Sequence, residues 1–260
     1  MSQNALAVNA SIPLFDTGTA THVGKVRDHN EDNLLARPEI GLWAVADGMG
    51  GHDAGDLASA TVIDALSSIE AARSAAELLA NCERHVVSAN AKLVDIGRRR
   101  GATIGTTVAV LLAHDAHFAC VWSGDSRVYL VRNGAISLQS RDHTVVQDLV
   151  AAGRLSAAEA RSAPGRNVIT RAIGIGDDPE LEIRDGALHA GDVFVLCSDG
   201  LTAHVEDDEI LEQVISATSQ QACDALIDLT LSRGAVDNVT IVVARYRPDA
   251  APANRRDLWE

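Results

Sequence analysis

The sequence predicts an α+β protein in which two layers of mainly antiparallel β-sheet are covered by pairs of α-helices. Strand-like segments follow one another in hairpin order, whereas helical periodicity is concentrated in two pairs of segments. A parallel sheet needs a helix after nearly every strand, and that alternation is missing here. The chain has 260 residues, of which 47% are hydrophobic, so it can bury a large core without disulfide bonds.

The first predicted elements are three short strands followed by two amphipathic helices. The strands are expected at residues 21–26, 33–36 and 42–46, where short apolar runs occur. The helices are expected at about 53–70 and 75–97. Both helical segments carry apolar residues at three- and four-residue spacing, which places these residues on one face of a helix.

The middle of the chain returns to strand patterns. Four segments predict strands, at residues 106–113, 117–123, 127–131 and 135–138. Asn133-Gly134 lies between the last two segments. This pair predicts a two-residue hairpin turn, because both turn positions need a positive φ.

The last third of the chain combines both types of element. Residues 144–163 are expected to be helical or irregular, and helices are predicted at about 207–216 and 220–232. The first of these helices begins with the acidic run 206–209, which suits the positive end of a helix dipole. Strands are predicted at residues 181–183, 192–196 and 239–246.

No linker or shift in composition divides the chain, so we expect a single domain over residues 19–246. Residues 1–18 are small and polar and are expected to form an extension, and residues 247–260 an exposed tail. No segment approaches the ~18 apolar residues of a membrane span. The N-terminus also lacks the basic and apolar regions of a secretory signal.

The charge balance and the cysteines exclude several classes of function. The chain has 22 basic and 36 acidic residues, and a net charge of −14 argues against a nucleic acid or an anionic membrane as partner. The four cysteines contain no CxxC pair and are expected to be buried free thiols in a reducing compartment. The sequence therefore predicts a soluble, cytoplasmic protein.

Acidic residues recur at the ends of apolar strands, next to glycine or asparagine. Four carboxylates are placed this way: Asp47, Asp125, Asp199 and Asp237. Together with Glu31 and Asp32 they could converge at one end of a sheet, where they would repel one another unless a cation were present. Oxygen ligands suit Mg²⁺ or Mn²⁺, and no His/Cys cluster typical of zinc is visible. The alternative is that each Asp-Gly pair is only a turn signal.

Six motifs in order then resemble one known family. They are Arg27-Asp28-His29-Asn30-Glu31-Asp32, Val45-Ala46-Asp47-Gly48-Met49-Gly50-Gly51, Gly105-Thr106-Thr107, Trp122-Ser123-Gly124-Asp125-Ser126-Arg127, Cys197-Ser198-Asp199-Gly200-Leu201 and Asp237-Asn238-Val239-Thr240. The set resembles the metal-dependent serine/threonine protein phosphatases (type 2C, the PPM family) in their compact bacterial form. The resemblance extends from about residue 19 to 246.

This resemblance implies a central β-sandwich flanked by helix pairs, with two Mn²⁺ or Mg²⁺ ions at one end. It implies that Asp47 bridges both ions, and that the Gly48 carbonyl, Asp199 and Asp237 complete the ligand set. Glu31 is implied to act mainly through metal-bound water. A hydroxide bridging the two ions would then attack phosphorus in line, so that no phosphoenzyme forms.

Further roles follow from the same resemblance. Asp125 is implied to contribute to a third, weaker metal site, and Arg27 to hold the substrate phosphate through its planar two-donor fork. Asp32 and Asn238 are expected to support the ligands without touching the metal. Residues 141–167 are implied to form a mobile flap beside the site.

The sequence departs from the better-known members at one position. They have His directly after the Asp-Gly pair, where it can act as general acid, but here the position is Met49, which has no proton to donate. The motif does not support His52 as a replacement for this general acid. The chain also lacks the Cys-x5-Arg loop of cysteine-dependent phosphatases, since Cys197 has no Arg six residues on.

The sequence leads to a hypothesis with two alternatives. The hypothesis is a phosphatase that acts on phosphoserine and phosphothreonine in proteins, opposes a bacterial Ser/Thr kinase and is a monomer. The alternatives are a pseudophosphatase that binds phosphoproteins without turnover, and a phosphatase for small phosphomonoesters. Residues 42–52 also resemble phosphatases that are paired with kinases in type VI secretion regulation.

Overall fold

The computed structural model describes residues 14–50, 54–160, 163–165 and 167–248. Within these ranges the strands are β1 (Phe15–His22), β2 (Asp32–Arg37), β3 (Leu42–Met49), β4 (Gly105–Thr106), β5 (Val108–His114), β6 (His117–Ser123), β7 (Arg127–Arg132), β8 (Ala135–Leu138), β9 (Glu182–Ala187), β10 (Val193–Cys197) and β11 (Val239–Tyr246). The helices are α1 (Ala54–Ser67), α2 (Ala75–Arg100), α3 (Val145–Ala151), α4 (Ala157–Ala160), α5 (Asp199–Thr202), α6 (Asp207–Ser216) and α7 (Ser219–Ser232).

Two antiparallel sheets form the centre of the molecule. The first has the strand order β1-β11-β10-β7-β8, and the second has β2-β3-β5-β6-β9, with β4 paired to the end of β3. Trp43 and Leu111 of the second sheet share a buried cluster with Phe194 and Val242 of the first, so the two sheets face each other. The predicted pair of antiparallel layers is confirmed.

Helix pairs cover both outer faces, as predicted. Val62 of α1 and Val86 of α2 are buried in a cluster with β3 and β5. On the other side Val214 of α6 and Leu226 of α7 share a cluster with β10 and β11. The order of layers is therefore helices, sheet, sheet, helices, which is the predicted α+β architecture.

Local signals explain where the long helices begin and end. Ser74 precedes α2, and its hydroxyl accepts a 3.1 Å hydrogen bond from the Glu77 backbone N–H, which satisfies one of the free donors of the first turn. The helix ends at Gly101, whose left-handed backbone (φ 62°) continues the chain away from the helix axis. The last turn holds three arginines, which suit the negative end of the helix dipole.

The N-terminal boundary of the domain needs a correction. β1 begins at Phe15 and pairs with β11 in register Phe15↔Tyr246, so residues 15–18 belong to the sheet and not to the predicted extension 1–18. The predicted strand 21–26 overlaps β1 only at Thr21 and His22. The sequence signal was weak because β1 has few apolar residues and contains three Thr and one Gly. Its place in the fold comes from pairing with β11 at the sheet edge.

Other local predictions are confirmed or fall outside the described ranges. Asn133 and Gly134 both have positive φ, 53° and 75°, and form the predicted hairpin turn between β7 and β8. The predicted strand at 181–183 is β9, displaced toward the C-terminus. His52 and most of the predicted tail lie outside the described residues. Among the residues that are described, no helix combines the length and apolarity needed to cross a membrane.

Candidate metal centre

Strand register brings the acidic motifs to the same end of both sheets. Asp47, near the end of β3, lies opposite Asp32 at the start of β2. In the other sheet Cys197, the last residue of β10, pairs with Arg127 at the start of β7 and with Ile241 near the start of β11. The segments that contain Asp125, Asp199 and Asp237 therefore meet at this end as well.

The carboxyl groups lie close enough to change one another's protonation. Burial, followed by the charges of Asp32 and Asp199, raises the pKa of Asp47 well above its usual range. Burial and the Asp199 charge raise the pKa of Asp125 to about 8. Burial and the Asp237 charge raise the pKa of Asp199 to about 6. The convergence that the sequence left open is thus present in the fold.

Arg27 lies at the mouth of this carboxylate cluster. Its Nη2 donates a 2.7 Å hydrogen bond to Asp237 Oδ2, and the pair remains substantially exposed to solvent. That hydrogen bond and the Asp237 charge are the main reasons why the pKa of Arg27 is raised, with smaller contributions from Glu31 and Asp47. The guanidinium is therefore one cation that the described chain places next to the carboxylates, and Arg127, near Asp125 and Asp199, is another.

Asn238 joins the last strand to the loop between β1 and β2. Its Oδ1 accepts a 2.8 Å hydrogen bond from the Glu31 backbone N–H. Its Nδ2 donates 2.9 Å hydrogen bonds to the carbonyls of Val23 and His29. The side chain is 6% exposed, so all three bonds are shielded from water. Asn238 consequently fixes the position of Glu31 and of the loop that carries Arg27.

We expect Asn238→Ala to lower the free energy of unfolding by about 1–3 kcal/mol, because it leaves one backbone N–H and two carbonyls without their partner. Guanidinium unfolding followed by circular dichroism measures this change. Asn81→Ala is a matched control, since that side chain bonds Arg84 of its own exposed helix turn. Equal unfolding midpoints for Asn238→Ala and wild type would contradict the role of Asn238 as a tether.

Asp32 lies behind the cluster and is almost fully buried. Its Oδ2 accepts a 2.7 Å hydrogen bond from Ser198 Oγ, which itself accepts one from the Thr240 backbone N–H at 3.0 Å. Burial raises the pKa of Asp32 to about 7, although hydrogen bonds from the Ser198 and Thr240 side chains act to lower it. Asp32 Oδ1 has no hydrogen-bond partner within the described residues. This oxygen can bind a proton, accept a hydrogen bond from a water molecule or contact a cation.

Glycines allow the backbone to approach closely around Glu31. A Cβ on Gly48 would overlap the Gly55 carbonyl of α1, and a Cβ on Gly55 would lie 2.6 Å from the Glu31 carboxyl carbon. The Gly48 N–H also donates a 3.1 Å hydrogen bond to the Glu31 carbonyl. Glu31, β3 and the start of α1 therefore pack together beside Asp47, which is why this segment requires glycine.

The Gly105-Thr106-Thr107 motif holds the backbone of Asp47. Thr107 Oγ1 accepts a 3.0 Å hydrogen bond from the Asp47 N–H. The Thr107 N–H and the Thr106 hydroxyl both donate to the Asp47 carbonyl, each at 2.9 Å. Thr107 Oγ1 also contacts Ser126 Oγ at 2.7 Å, next to Asp125. This motif is structural: it fixes Asp47 relative to the Asp125 turn.

Sequence reasoning missed the ion pair that supports the Asp125 turn. Arg127 Nε and Nη2 donate to both oxygens of Asp142, at 2.9 and 2.7 Å, and Arg127 Nη1 donates to the Tyr129 hydroxyl. Asp142 lies in the predicted flap, so the pair links the flap base to β7. The Arg that follows Gly-Asp-Ser was visible in the motif, but its partner 15 residues away was not.

His143 is buried and anchors the start of the predicted flap. It is 1% exposed; its Nδ1 accepts from the Gly124 N–H at 3.1 Å, and its ring stacks at 6.3 Å from Trp122. Its backbone N–H and C=O bond the Gly124 carbonyl and the Thr170 N–H. Burial lowers the pKa of His143, which keeps the imidazole neutral at this anchoring point.

The donor set fits a hydrated, hard divalent cation. The acidic side chains of the cluster offer carboxylate oxygens, and burial with mutual repulsion raises the pKa of Asp47, Asp125 and Asp199, so a nearby cation would favour their ionised forms. Within the described residues, no three His, Cys, Asp or Glu side chains are arranged so that they alone could hold a metal ion. Mg²⁺ commonly takes one or two carboxylates and keeps several waters, so an open site suits it. Asp47, Asp199, Asp237 and the Gly48 carbonyl are the candidate donors.

Comparison with known proteins shows the family. Residues 18–239 match the family described as Protein phosphatase 2C. The chain belongs to the protein phosphatase 2C family. The match begins within β1 and ends at the first residue of β11, so it includes the quoted motifs up to Val239, and it confirms the resemblance. Relatives of this phosphatase 2C chain are named as serine/threonine protein phosphatases.

Bacterial phosphatases are similar to this phosphatase 2C chain along most of its length. The serine/threonine protein phosphatase PstP of Mycobacterium tuberculosis is 39% identical over 224 residues, covering 85% of this chain but only 43% of PstP. This chain thus spans less than half of that relative.

Solved structures extend the similarity to the fold. PppA, a key regulatory component of T6SS in Pseudomonas aeruginosa, has a TM-score of 0.85 and 36% identity, with 90% of this phosphatase 2C chain and 99% of that chain covered. The PstP catalytic domain in complex with two manganese ions has a TM-score of 0.80 and 36% identity, with coverage of 90% and 98%.

Proposed function

We propose that the protein is a Mn²⁺- or Mg²⁺-dependent phosphatase that removes phosphate from phosphoserine and phosphothreonine in proteins. The observation that carries the proposal is the meeting of Asp47, Asp125, Asp199 and Asp237 at one end of the sandwich, with Arg27 at their edge. Carboxylates that raise one another's pKa favour a bound cation, and an exposed guanidinium favours an anionic substrate. The manganese complex of PstP supports the same kind of centre.

Each acidic residue has a proposed role. Asp47 is at the centre of the cluster. Asp47, Asp199, Asp237 and the Gly48 carbonyl are proposed as the groups that would hold two divalent ions. Two bound divalent ions would supply an activated water for in-line attack on phosphorus and neutralise charge in the transition state. Asp125, at the far side near Asp142, is assigned to a third and weaker site.

The supporting residues position these ligands. Glu31, packed against Gly55, is assigned to order water at the ions. Asp32 holds the Ser198 hydroxyl and thereby the backbone just before Asp199. Asn238 holds the Glu31 loop. Residues 141–167 are proposed as a flap, whose base is fixed by the Arg127–Asp142 ion pair.

The cysteines do not offer an alternative nucleophile. Cys197, next to the Asp199 motif, is fully buried, and burial raises its pKa to about 12. A thiol with this pKa is protonated at neutral pH and is a poor nucleophile. All four cysteines are free and buried, which supports a reducing, cytoplasmic setting.

The proposal is tested by measuring phosphate release from a phosphothreonine peptide with Mn²⁺, with Mg²⁺ and with EDTA. We expect release that requires a divalent ion and that Asp237→Ala abolishes. Binding of the peptide without ion-dependent release would instead indicate a pseudophosphatase. Much faster hydrolysis of small phosphomonoesters than of any phosphopeptide would indicate a metabolite phosphatase.

Arg27→Lys is expected to raise the KM for a phosphopeptide by about 10-fold with a smaller change in kcat, because the ammonium keeps the charge but loses the two-donor fork. Steady-state kinetics with the phosphothreonine peptide measures both constants. Arg84→Lys on α2 is the matched control. An unchanged KM would exclude Arg27 as the phosphate-binding residue.

The proposed setting is a bacterial signalling pair. The phosphatase would act as a monomer and oppose a Ser/Thr kinase by removing phosphate from the kinase or its targets. The similarity to PppA supports a place in the regulation of type VI secretion. Co-purification of a tagged chain with a kinase that it dephosphorylates would test this setting.

A further inference from the structure

A second concave surface lies between the C-terminal turns of α2 and the loop 174–177. It encloses about 440 Å³ and is lined by Gly97, Arg98 and Thr103 on one side and by Ile175 and Gly176 on the other. This volume is within the range of sites that bind small ligands or short peptide segments. None of the proposed catalytic or metal-binding residues lines it.

The pocket begins where the proposed active site ends. A Cβ on Gly50, just after β3, would lie 3.1 Å from the Thr103 carbonyl. A Cβ on Gly105 would lie within 3.5 Å of both Ile175 Cγ1 and Met49 Cε. Gly50 is three residues from Asp47, a separation of about 10 Å along an extended chain. A peptide with its phosphorylated residue at Asp47 would reach the pocket with its third or fourth neighbour.

The outer wall of the pocket is held rigidly. Asn90 of α2 is fully buried, and its Nδ2 donates to the carbonyls of Gly176 and Asp177, at 2.8 and 3.3 Å. Its Oδ1 accepts a 2.7 Å hydrogen bond from the Gly174 N–H. One buried amide thus fixes three positions of the loop against the helix. The pocket is preformed, which lowers the entropic cost of binding.

Gly176 is a glycine that its own backbone does not require. Its φ lies outside the left-handed region, and a Cβ there would meet only the Asp178 carbonyl at 3.6 Å, an ordinary contact distance. Gly174, by contrast, has φ 95°, and a Cβ on Gly97 would lie 2.8 Å from the Ala102 carbonyl. A side chain at position 176 would therefore leave the fold intact but project beside the pocket. Its absence keeps the pocket open.

The helix side of the pocket carries one arginine that lines it. This residue is Arg98, whereas Arg99 of the same turn pairs with Asp95 of α2. Arg98 Nη2 pairs with Asp177 Oδ1 at 2.7 Å, but both side chains are largely exposed, at 69% and 81%. An exposed pair of this kind contributes about 0–1 kcal/mol, so Arg98 can exchange Asp177 for a carboxylate of a ligand.

We propose that this pocket is a substrate subsite, which binds the extended peptide next to the phosphorylated residue and receives an acidic side chain on Arg98. The subsite rests on the proposed phosphatase function, because the position of the bound peptide is set by its phosphorylated residue at Asp47. It selects phosphoproteins with Asp or Glu three or four positions from the phosphorylated residue, and it has no part in the hydrolysis of small phosphomonoesters.

Gly176→Leu tests the pocket, because it fills the space without straining the backbone. The test peptide has Glu at the third and fourth positions on both sides of its phosphothreonine. We expect kcat/KM for this peptide to fall by about 10-fold, which is about 1.4 kcal/mol. The rate on p-nitrophenyl phosphate is expected to stay within about two-fold, as that substrate does not reach the pocket. Ala116→Leu, at the exposed turn far from the site, is the control.

Arg98→Glu tests the charge preference. Wild type is expected to have a higher kcat/KM for the glutamate peptide than for a peptide with Lys at the same positions. Arg98→Glu is expected to change this ratio of kcat/KM values by about 10-fold, so that the preference is lost or reversed. The rate on p-nitrophenyl phosphate is expected to stay unchanged. Unchanged kinetics in both variants, or equal losses on peptide and p-nitrophenyl phosphate, would overturn the subsite.

Binding separates this proposal from the phosphatase function. Fluorescence anisotropy with the labelled glutamate phosphopeptide reports binding even without turnover, and Gly176→Leu is expected to weaken it. If wild type releases no phosphate but this difference in binding persists, the hydrolytic function fails and the pocket stands. Equal binding by wild type and Gly176→Leu excludes the pocket whatever the turnover.

Discussion

Asp47→Asn is expected to reduce phosphopeptide hydrolysis by at least about 10³-fold and, at the same time, to make the ion-free protein more stable. If Asp47 holds divalent ions as proposed, loss of its charge removes several kcal/mol of stabilisation, and each 1.36 kcal/mol is a factor of ten in rate. The gain in stability follows from the raised pKa of Asp47, since burial and the neighbouring carboxylates disfavour its ionised form. An amide of the same shape carries no charge and avoids this cost.

Thermal unfolding in EDTA and phosphate release with Mn²⁺ measure the two effects on the same sample. For a chain of this size, about 1 kcal/mol corresponds to a Tm shift of roughly 2–4 °C. Mn²⁺ is expected to raise the Tm of wild type but not that of Asp47→Asn. Asp228→Asn, exposed on α7, is the matched control. A variant that keeps its activity, or that is less stable than wild type in EDTA, would contradict the placement of Asp47 at the centre of the cluster.

Without divalent ions, the protein is expected to lose stability as the pH rises from about 4 to 8. Burial, with neighbouring charges, raises the pKa of Asp199 to about 6, of Asp32 to about 7 and of Asp125 to about 8, from a usual value of 3.8. In this window the folded state binds more protons than the unfolded state. The free energy of unfolding therefore decreases with pH, and the contribution is fully lost above the folded pKa values.

Thermal unfolding in EDTA between pH 5 and pH 8 should show a Tm decrease on the order of 10 °C, since each pKa unit is about 1.4 kcal/mol. Saturating Mg²⁺ is expected to reduce or reverse the trend, because ion binding requires the ionised carboxylates. Asp125→Asn should flatten the EDTA profile by removing one of the three groups. A Tm that rises steadily with pH in EDTA would show that these carboxyls do not repel one another.

Much of the fold was predictable because its signals are local. The Asn133-Gly134 turn, the bounds of β6 and β8, and the start of α6 depend on neighbouring residues, and the structure reproduces them. β1 was placed too late because its Thr-rich sequence has little hydrophobic pattern. Its partner β11 is more than 200 residues away, a distance over which single-sequence patterns carry no information.

The candidate site was predictable in its composition but not in its connections. Acidic residues beside glycine at strand ends are visible in the sequence, and the family match supports the same motifs. The contacts of Asn238 with the Glu31 loop and of Ser198 with Asp32 span 207 and 166 residues. Such contacts depend on how the two sheets stack, which no local pattern encodes. The same is true of the Arg27–Asp237 pair.

The pairing of β1 with β11 also determines when the site can form during protein synthesis. The first and last strands are neighbours in the sheet. In a chain emerging from the ribosome, β1 therefore lacks its partner β11 until Val239–Tyr246 has been synthesised. Arg27 and Asp237 come together only at that moment. Nascent chains and chains truncated before β11 therefore lack the Arg27–Asp237 pair, and the proposed site can be complete only after β11 has been synthesised.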